Sequence, residues 1–239
     1  MINKCSCQCK CTCTCDCKCN NSKKEPNLIL IGPPGAGKGS IASLLVKQFN
    51  YFQFSTGDMF RQEIKNKTEL GKKIQIILDS GKYVDDAITN ELVEKKLTEL
   101  VAQNKPFILD GYPRTIDQAK FLEQLEAKNV IIDKVVVLKI TDDQIIERLS
   151  KRRVCPACKT IYHLESFPPI DNKFCKKCQA EVIKRPDDEA DVVLKRLAIY
   201  ESQTKCLIDF YKNKNIAIEI NSYQEFKKVY SDVKEALKW

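Results

Sequence analysis

The sequence predicts an α/β protein in three layers, with helices on both faces of a five-stranded parallel sheet. Two patterns carry that expectation. Short apolar runs alternate with segments whose apolar residues recur at i, i+3 and i+4, as strands alternating with amphipathic helices do. In addition, Val135-Val136-Val137-Leu138 is apolar at every position, as a strand covered on both faces must be.

Strands are expected at residues 28–31, 51–55, 107–110, 134–140 and 216–220, with helices at 38–50, 86–104, 115–129, 142–153, 188–212 and 224–237. Right-handed crossovers then place any ligand at the carboxyl ends of the strands. Residues 151–184 break the rhythm with two Cys-x-x-Cys pairs, Pro168-Pro169 and little helical periodicity, so they read as a small inserted domain. Residues 1–26 contain no large apolar side chain after Ile2 and cannot bury enough surface to fold alone, so the globular part starts at Asn27.

Composition narrows the function classes. No apolar run approaches the ~20 residues of a membrane helix, and the N-terminus lacks an apolar signal core, so a soluble, cytoplasmic protein without a membrane partner is expected. The net charge of +8 invites a nucleic-acid reading, but residues 1–25 hold +3 of it. The insert at 151–184 also mixes its lysines with Glu165, Asp171 and Glu181 and offers only Tyr162, Phe167 and Phe174 for stacking, which argues against a nucleic-acid partner.

The thirteen cysteines fall into three groups. Eight alternate from Cys5 to Cys19, where a soft-metal cluster and an extension without function are both open readings. Cys155, Cys158, Cys175 and Cys178 form two knuckles separated by sixteen residues, the spacing of a tetrathiolate Zn²⁺ site. Such a site is closed, so the zinc should be structural, and His163 is not needed as a fifth ligand. Cys206 shares a helix pattern with Leu207 and Phe210 and reads as buried core.

The most specific motif follows the first strand: Gly32-Pro33-Pro34-Gly35-Ala36-Gly37-Lys38-Gly39-Ser40. Strand, glycine-rich loop and helix start make a P-loop NTPase-type phosphate cradle, in which Gly35, Ala36, Gly37, Gly39 and Ser40 offer backbone N–H groups and Lys38 a charge for the β/γ oxygens. The strict pattern has Ser or Thr directly after the lysine; Gly39 stands there instead. Asp110 ends an apolar strand beside the loop, where a carboxylate can hold water on Mg²⁺.

With this loop, Ser55-Thr56-Gly57-Asp58-Met59-Phe60-Arg61 and Leu109-Asp110-Gly111-Tyr112-Pro113-Arg114-Thr115, the chain closely resembles the adenylate kinase family across residues 27–239. Arg152-Arg153-Val154-Cys155-Pro156, Arg185-Pro186-Asp187-Asp188 and Lys195-Arg196-Leu197 extend the likeness, and the zinc insert resembles the lid of metal-containing members. The resemblance implies a monomer that transfers the γ-phosphoryl group of Mg-ATP to AMP, giving two ADP.

By the same likeness, Arg61 and Arg114 hold the AMP phosphate, Thr56 and Gln118 face its adenine, Gly81-Lys82-Tyr83-Val84 borders the pocket at the end of a segment at about 56–84, and Gly111 meets AMP from outside that segment. Arg148, Arg152, Arg185 and Arg196 would surround the transferring group, the last two also meeting AMP. Asn221 stands where the family often has Asp-Gly beside the ATP base. Loose phosphoryl transfer depends on positioning and charge neutralisation, which guanidinium forks supply.

Plainer readings stand beside these. Arg148, Arg152 and Arg153 also read as the basic end of a helix. Thr115-x-x-Gln118 matches a capping box, Asp58 a first-turn carboxylate, and Arg61 and Arg114 surface ion pairs. Among functions, a UMP/CMP-type kinase is the nearest rival, set against Thr56 and the long metal lid. A P-loop switch protein lacks support, since no guanine-reading signature is present.

Overall fold

A computed structural model of the chain describes residues 25–79 and 83–239. The alternating cysteines, Gly81 and Lys82 therefore lie outside the described residues. The five expected strands pair in one parallel sheet: β1 Leu28–Ile31, β2 Phe52–Ser55, β3 Phe107–Asp110, β4 Lys134–Lys139 and, later in the chain, β7 Ala217–Asn221, in the order β2-β3-β1-β4-β7. Alternate residues of β1 explain the three layers. Ile29 and Ile31 join Phe54, Val93, Leu97, Phe107, Val135 and Leu207 on one face, while Leu28 and Leu30 join Ile41, Leu45, Val136, Val229 and Val233 on the other.

The first face is covered by α4 (Asp86–Ala102), α5 (Ile116–Gln124) and α8 (Cys206–Asn213), the second by α1 (Lys38–Phe49) and α9 (Phe226–Ala236). Register fixes what gathers at the carboxyl edge. Leu30 and Ser55 both align with Asp110, and Lys139 aligns with Asn221. The end of β1, Ser55, Asp110 and Asn221 thus share one rim of the sheet.

Two insertions rise above that rim. One is a helical pair, α2 (Thr56–Lys65) and α3 (Glu69–Asp79), built on Phe60, Ile74 and Val84. The broad segment expected at 56–84 has this internal structure, which the sequence reading left undivided. Gly71 permits the pair: a Cβ there would stand 2.2 Å from the Glu63 carbonyl oxygen, so only glycine lets α3 cross the end of α2 this closely. The other insertion begins where α6 (Asp142–Ser150) stops and β5 (Arg152–Val154) pairs antiparallel with β6 (Ile161–His163).

Two expectations are corrected here. Arg152 and Arg153 do not end a helix; they stand in β5, because the chain leaves α6 at Lys151 to enter the small sheet. The helix expected at 188–212 is broken: α7 (Ala190–Ile199) passes through a π turn, Tyr200–Thr204, before α8. The added residue of a π turn rotates the following face. Cys206 consequently is exposed, its thiol donating to the Gln203 carbonyl at 3.2 Å, and Leu207 is the buried neighbour.

Candidate active site

The phosphate loop links β1 to α1. Gly37 precedes the helix in a left-handed conformation, φ 97°, with no side chain capping the first turn, so the N–H groups at that end remain directed at the rim. Gly35 has φ 83°, and a Cβ there would stand 2.9 Å from Leu149 of α6, so the loop packs against that helix only as glycine. Lys38 folds back over the loop, donating to the carbonyls of Gly32 at 2.6 Å and Pro33 at 2.9 Å. Burial draws its ammonium down to about 8, opposed by the Asp110 carboxylate and reinforced by Arg114, Arg196 and Arg152.

Asp110 closes the same corner. Its Oδ2 accepts from Gln53 at 3.1 Å and lies 3.4 Å from the position of a Cβ on Gly39. Burial raises its pKa, Asp58 adding to the effect and the Lys38 ammonium opposing it. An oxygen donor of this kind, beside the phosphate loop, fits the preference of Mg²⁺ for carboxylate and water.

Arg114 is the most fully oriented cation. Its backbone N–H donates to Gln118 Oε1 at 2.7 Å, its Nε donates to the Gly111 carbonyl at 2.7 Å, and the Thr204 hydroxyl donates to its carbonyl at 2.8 Å. The Tyr83 ring covers one side of the guanidinium, 4.7 Å from ring centre to Cζ. Among the described residues no carboxylate makes an ion pair with it, so the surface ion-pair reading does not describe this arginine. Arg61 does pair, with Asp58 at 2.7 Å across the first turns of α2. Both partners are substantially exposed, so the pair contributes little to stability.

Thr56 is buried and donates to the Gly111 carbonyl at 2.8 Å. Gln118 is also buried, its Nε2 donating to Asp86 at 2.6 Å while Thr115 accepts from its backbone N–H. The helix start is therefore capped by Thr115, but the glutamine amide reaches Arg114 N instead of Thr115 N, so a reciprocal box is not formed. Val84 belongs to the core of the helical pair.

On the opposite side, Arg148 donates to the carbonyls of Ser222 at 2.8 Å and Gly35 at 3.4 Å, bridging the phosphate loop to the turn after Asn221. Asn221 is exposed, and its Oδ1 accepts from Tyr223 N at 3.0 Å. Arg152 makes a two-point ion pair with Asp188, whose side chain is wholly buried. Arg196 donates to the Asp187 carbonyl at 2.9 Å and carboxylate at 3.1 Å. Among the described residues the Arg185 guanidinium has no hydrogen-bond partner; burial, then the nearby charges of Arg152 and Arg61, lowers its pKa to about 10.

Lys38, Gly111, Arg114, Arg196 and Thr204 line a cavity of about 60 Å³, which has room for a phosphoryl-sized group and not for a nucleotide. A larger cavity, about 540 Å³, lies between β2, α2 and α4 and contains none of these cations. The sequence reading missed Asp86, Gln53 and Thr204 as supports. Their polar side chains carry no motif, and only packing reveals that they face Gln118, Asp110 and Arg114.

In the insertion, the sulfurs of Cys155, Cys158, Cys175 and Cys178 all lie within 4.8 Å of one another. Metal–sulfur bonds of ~2.3 Å arranged tetrahedrally separate sulfurs by ~3.8 Å, so the four thiols fit one ion. Cys158 N donates to Cys155 Sγ at 3.4 Å and Lys177 N to Cys175 Sγ at 3.3 Å, contacts suited to thiolates. His163 lies apart from the cluster, its Nδ1 accepting from Glu165 N and Ser166 N.

A parallel sheet ending in this loop, with arginines from both sides converging on a phosphoryl-sized cavity, defines a P-loop phosphotransferase. Comparison with known proteins narrows the class. A sequence model of the adenylate kinase family matches residues 30–216. Adenylate kinase of Thermoanaerobacter sp. (strain X514) is 43% identical over 211 residues, 88% of this chain and 97% of that one. That of Mycoplasma mobile is 47% identical over 208 residues, covering 86% and 94%, and that of Treponema denticola 43% identical over 208 residues, covering 87% and 97%. The chain belongs to the adenylate kinase family and is a phosphotransferase of that type. No helix among the described residues is long and apolar enough to cross a membrane.

Proposed function

We propose that this enzyme transfers the γ-phosphoryl group of Mg-ATP to AMP, forming two ADP, and that Zn²⁺ in the tetrathiolate cluster holds the lid together without entering the reaction. The observation that carries the reading is the pair of phosphate-binding groups facing one small cavity: Lys38 on the loop side and Arg114 on the other. Lys38 and the first turn of α1 would take the β and γ phosphates, while Arg114 and Arg61 would take the acceptor phosphate. Arg152, Arg185 and Arg196 would neutralise the group in flight, and Arg148 would steady the ATP side between Gly35 and Ser222.

Mg²⁺, bound with ATP, supplies charge neutralisation of the polyphosphate, and Asp110 would hold it through water. No general base is required, because a phosphate monoester with a second pKa of ~6 is already mostly dianionic at neutral pH. The working unit would be a monomer, as the family resemblance implies.

The assignment is tested by ADP formation from ATP with AMP, GMP, CMP and UMP as acceptors. AMP is expected to exceed the others in kcat/KM by at least roughly tenfold. A preference for UMP or CMP would replace the acceptor assignment with that of a pyrimidine nucleotide kinase.

A further inference from the structure

The geometry points to Tyr83 as a positioning residue for the acceptor phosphate, acting on Arg114 through its ring and on Thr204 through its hydroxyl. The inference rests on the reading of Arg114 as the acceptor-phosphate ligand and adds what fixes that ligand in place.

The hydrogen-bond order can be assigned from atom counts. Thr204 Oγ1 has one hydrogen and donates it to the Arg114 carbonyl at 2.8 Å. The 3.0 Å contact between Tyr83 Oη and Thr204 Oγ1 must then run from tyrosine to threonine. A directed chain results: Tyr83 O–H to Thr204 O–H to the Arg114 carbonyl. The same tyrosine presents its ring to the Arg114 guanidinium at 4.7 Å. One residue thereby holds both ends of Arg114.

The chemistry of an aromatic clamp suits this position. A carboxylate would neutralise the guanidinium and compete with an incoming anion. A ring face attracts the cation without doing so, and it covers the flat side while leaving the donor edge open. Nε is committed to Gly111, the two Nη groups have no hydrogen-bond partner among the described residues, and Arg114 lines the cavity that also holds Lys38 and Arg196.

The π turn supplies the other anchor. Lys205 N donates to the Tyr200 carbonyl at 2.9 Å, the five-residue spacing of that turn, and buried Thr204 sits at its end. Such bulges interrupt a helix at some cost and recur at functional sites. Here the interruption turns a hydroxyl toward Arg114, on the helix that carries Arg196 two turns earlier. Tyr83 precedes α4, directly after the helical pair, so the contact ties the acceptor segment to the phosphoryl-transfer helix.

The test is steady-state kinetics of Tyr83→Leu, Tyr83→Phe, Thr204→Val and the Tyr83→Phe/Thr204→Val double variant, with folding checked first by melting. Tyr83→Leu is expected to raise the KM for AMP roughly 3- to 30-fold, the range of a partly desolvated cation–π contact. The KM for ATP should move by less than about twofold, and kcat should fall less than the AMP KM rises. Tyr83→Phe keeps the ring and should recover most of the loss. The double variant should be no worse than Thr204→Val, because both substitutions break one chain.

Equal effects of Tyr83→Leu on the KM of both nucleotides, or none on either, would overturn the clamp. So would additive losses in the double variant. Should Tyr83→Leu fail to fold, Tyr83→Phe and the double variant decide the matter by the same additivity. Arg114→Ala separates the underlying reading: an unaltered AMP KM there removes the acceptor-site assignment itself, whereas a large rise there alongside silent Tyr83 variants removes only the clamp.

Discussion

Lys38 combines two properties that a surface lysine does not: it is held by two loop carbonyls and surrounded by other cations. Its ammonium is lowered to about 8, so the free enzyme loses that charge as pH rises through about 8, while a bound polyphosphate favours keeping it. ATP affinity should therefore fall with pH between about 7.5 and 9.5, approaching tenfold per pH unit at the upper end. Calorimetric Kd values across that range check this, with Lys38→Arg as control, since a guanidinium does not titrate there and its profile should stay flat. The lysine itself is legible from the loop motif. The depressed proton affinity is not, because it arises first from burial, which only packing imposes, and then from Arg114, Arg196 and Arg152, which lie far away in sequence.

The two inserted elements depend on different forces. The helical pair is held by its own apolar cluster and by the close crossing at Gly71. Gly71→Ala must push α3 off the backbone of α2, an overpacking that costs about 1–3 kcal/mol. Because the clash lies outside the sheet, AMP KM should rise while ATP KM changes little, which two-substrate kinetics will show. The lid has only a small core, Cys155, Tyr162, Cys175 and Val182, too little to fold by burial alone. Metal binding would then supply its folding free energy. Cys175→Ser should lose zinc by elemental analysis and lower the Tm, with low-temperature turnover reduced far less. A variant that kept its melting point but lost catalysis would put the metal in the reaction.

At the scale of the whole molecule, the charges of the site come from the central rim and from both insertions, yet the partly open cavity among them measures only about 60 Å³. On the proposed reading, two nucleotides would bind in the clefts under the insertions, and hydrolysis would be avoided only if water is excluded from the transfer. A bisubstrate mimic should shorten the distance between a label in residues 151–184 and one on the sheet rim by fluorescence transfer; an unchanged distance would argue against closure. Deleting residues 1–25 should leave phosphoryl transfer within about twofold, because the family match starts at residue 30 and every proposed site residue lies beyond it. Comparing soft-metal content of the full and shortened chains under reducing conditions then distinguishes a metal-binding tail from an inert one.

The sequence by itself determined the sheet, the phosphate loop and the thiol cluster, because each is written in local terms. Unbroken apolar runs require burial on two faces, glycines at set spacing permit one loop, and paired Cys-x-x-Cys knuckles imply one metal. Helix caps such as Ser55 and Thr115 are local in the same way. Only the tertiary structure decided what surrounds each arginine. Arg152 reads as a helix end until the chain turns into β5 and places it on Asp188, and Cys206 reads as core until the π turn rotates it outward. The clamp on Arg114 joins residues 83, 114 and 204, from two loops and the π turn. Pattern along a chain records which face a residue must hide; the partner it meets there depends on distances closed only when the layers pack.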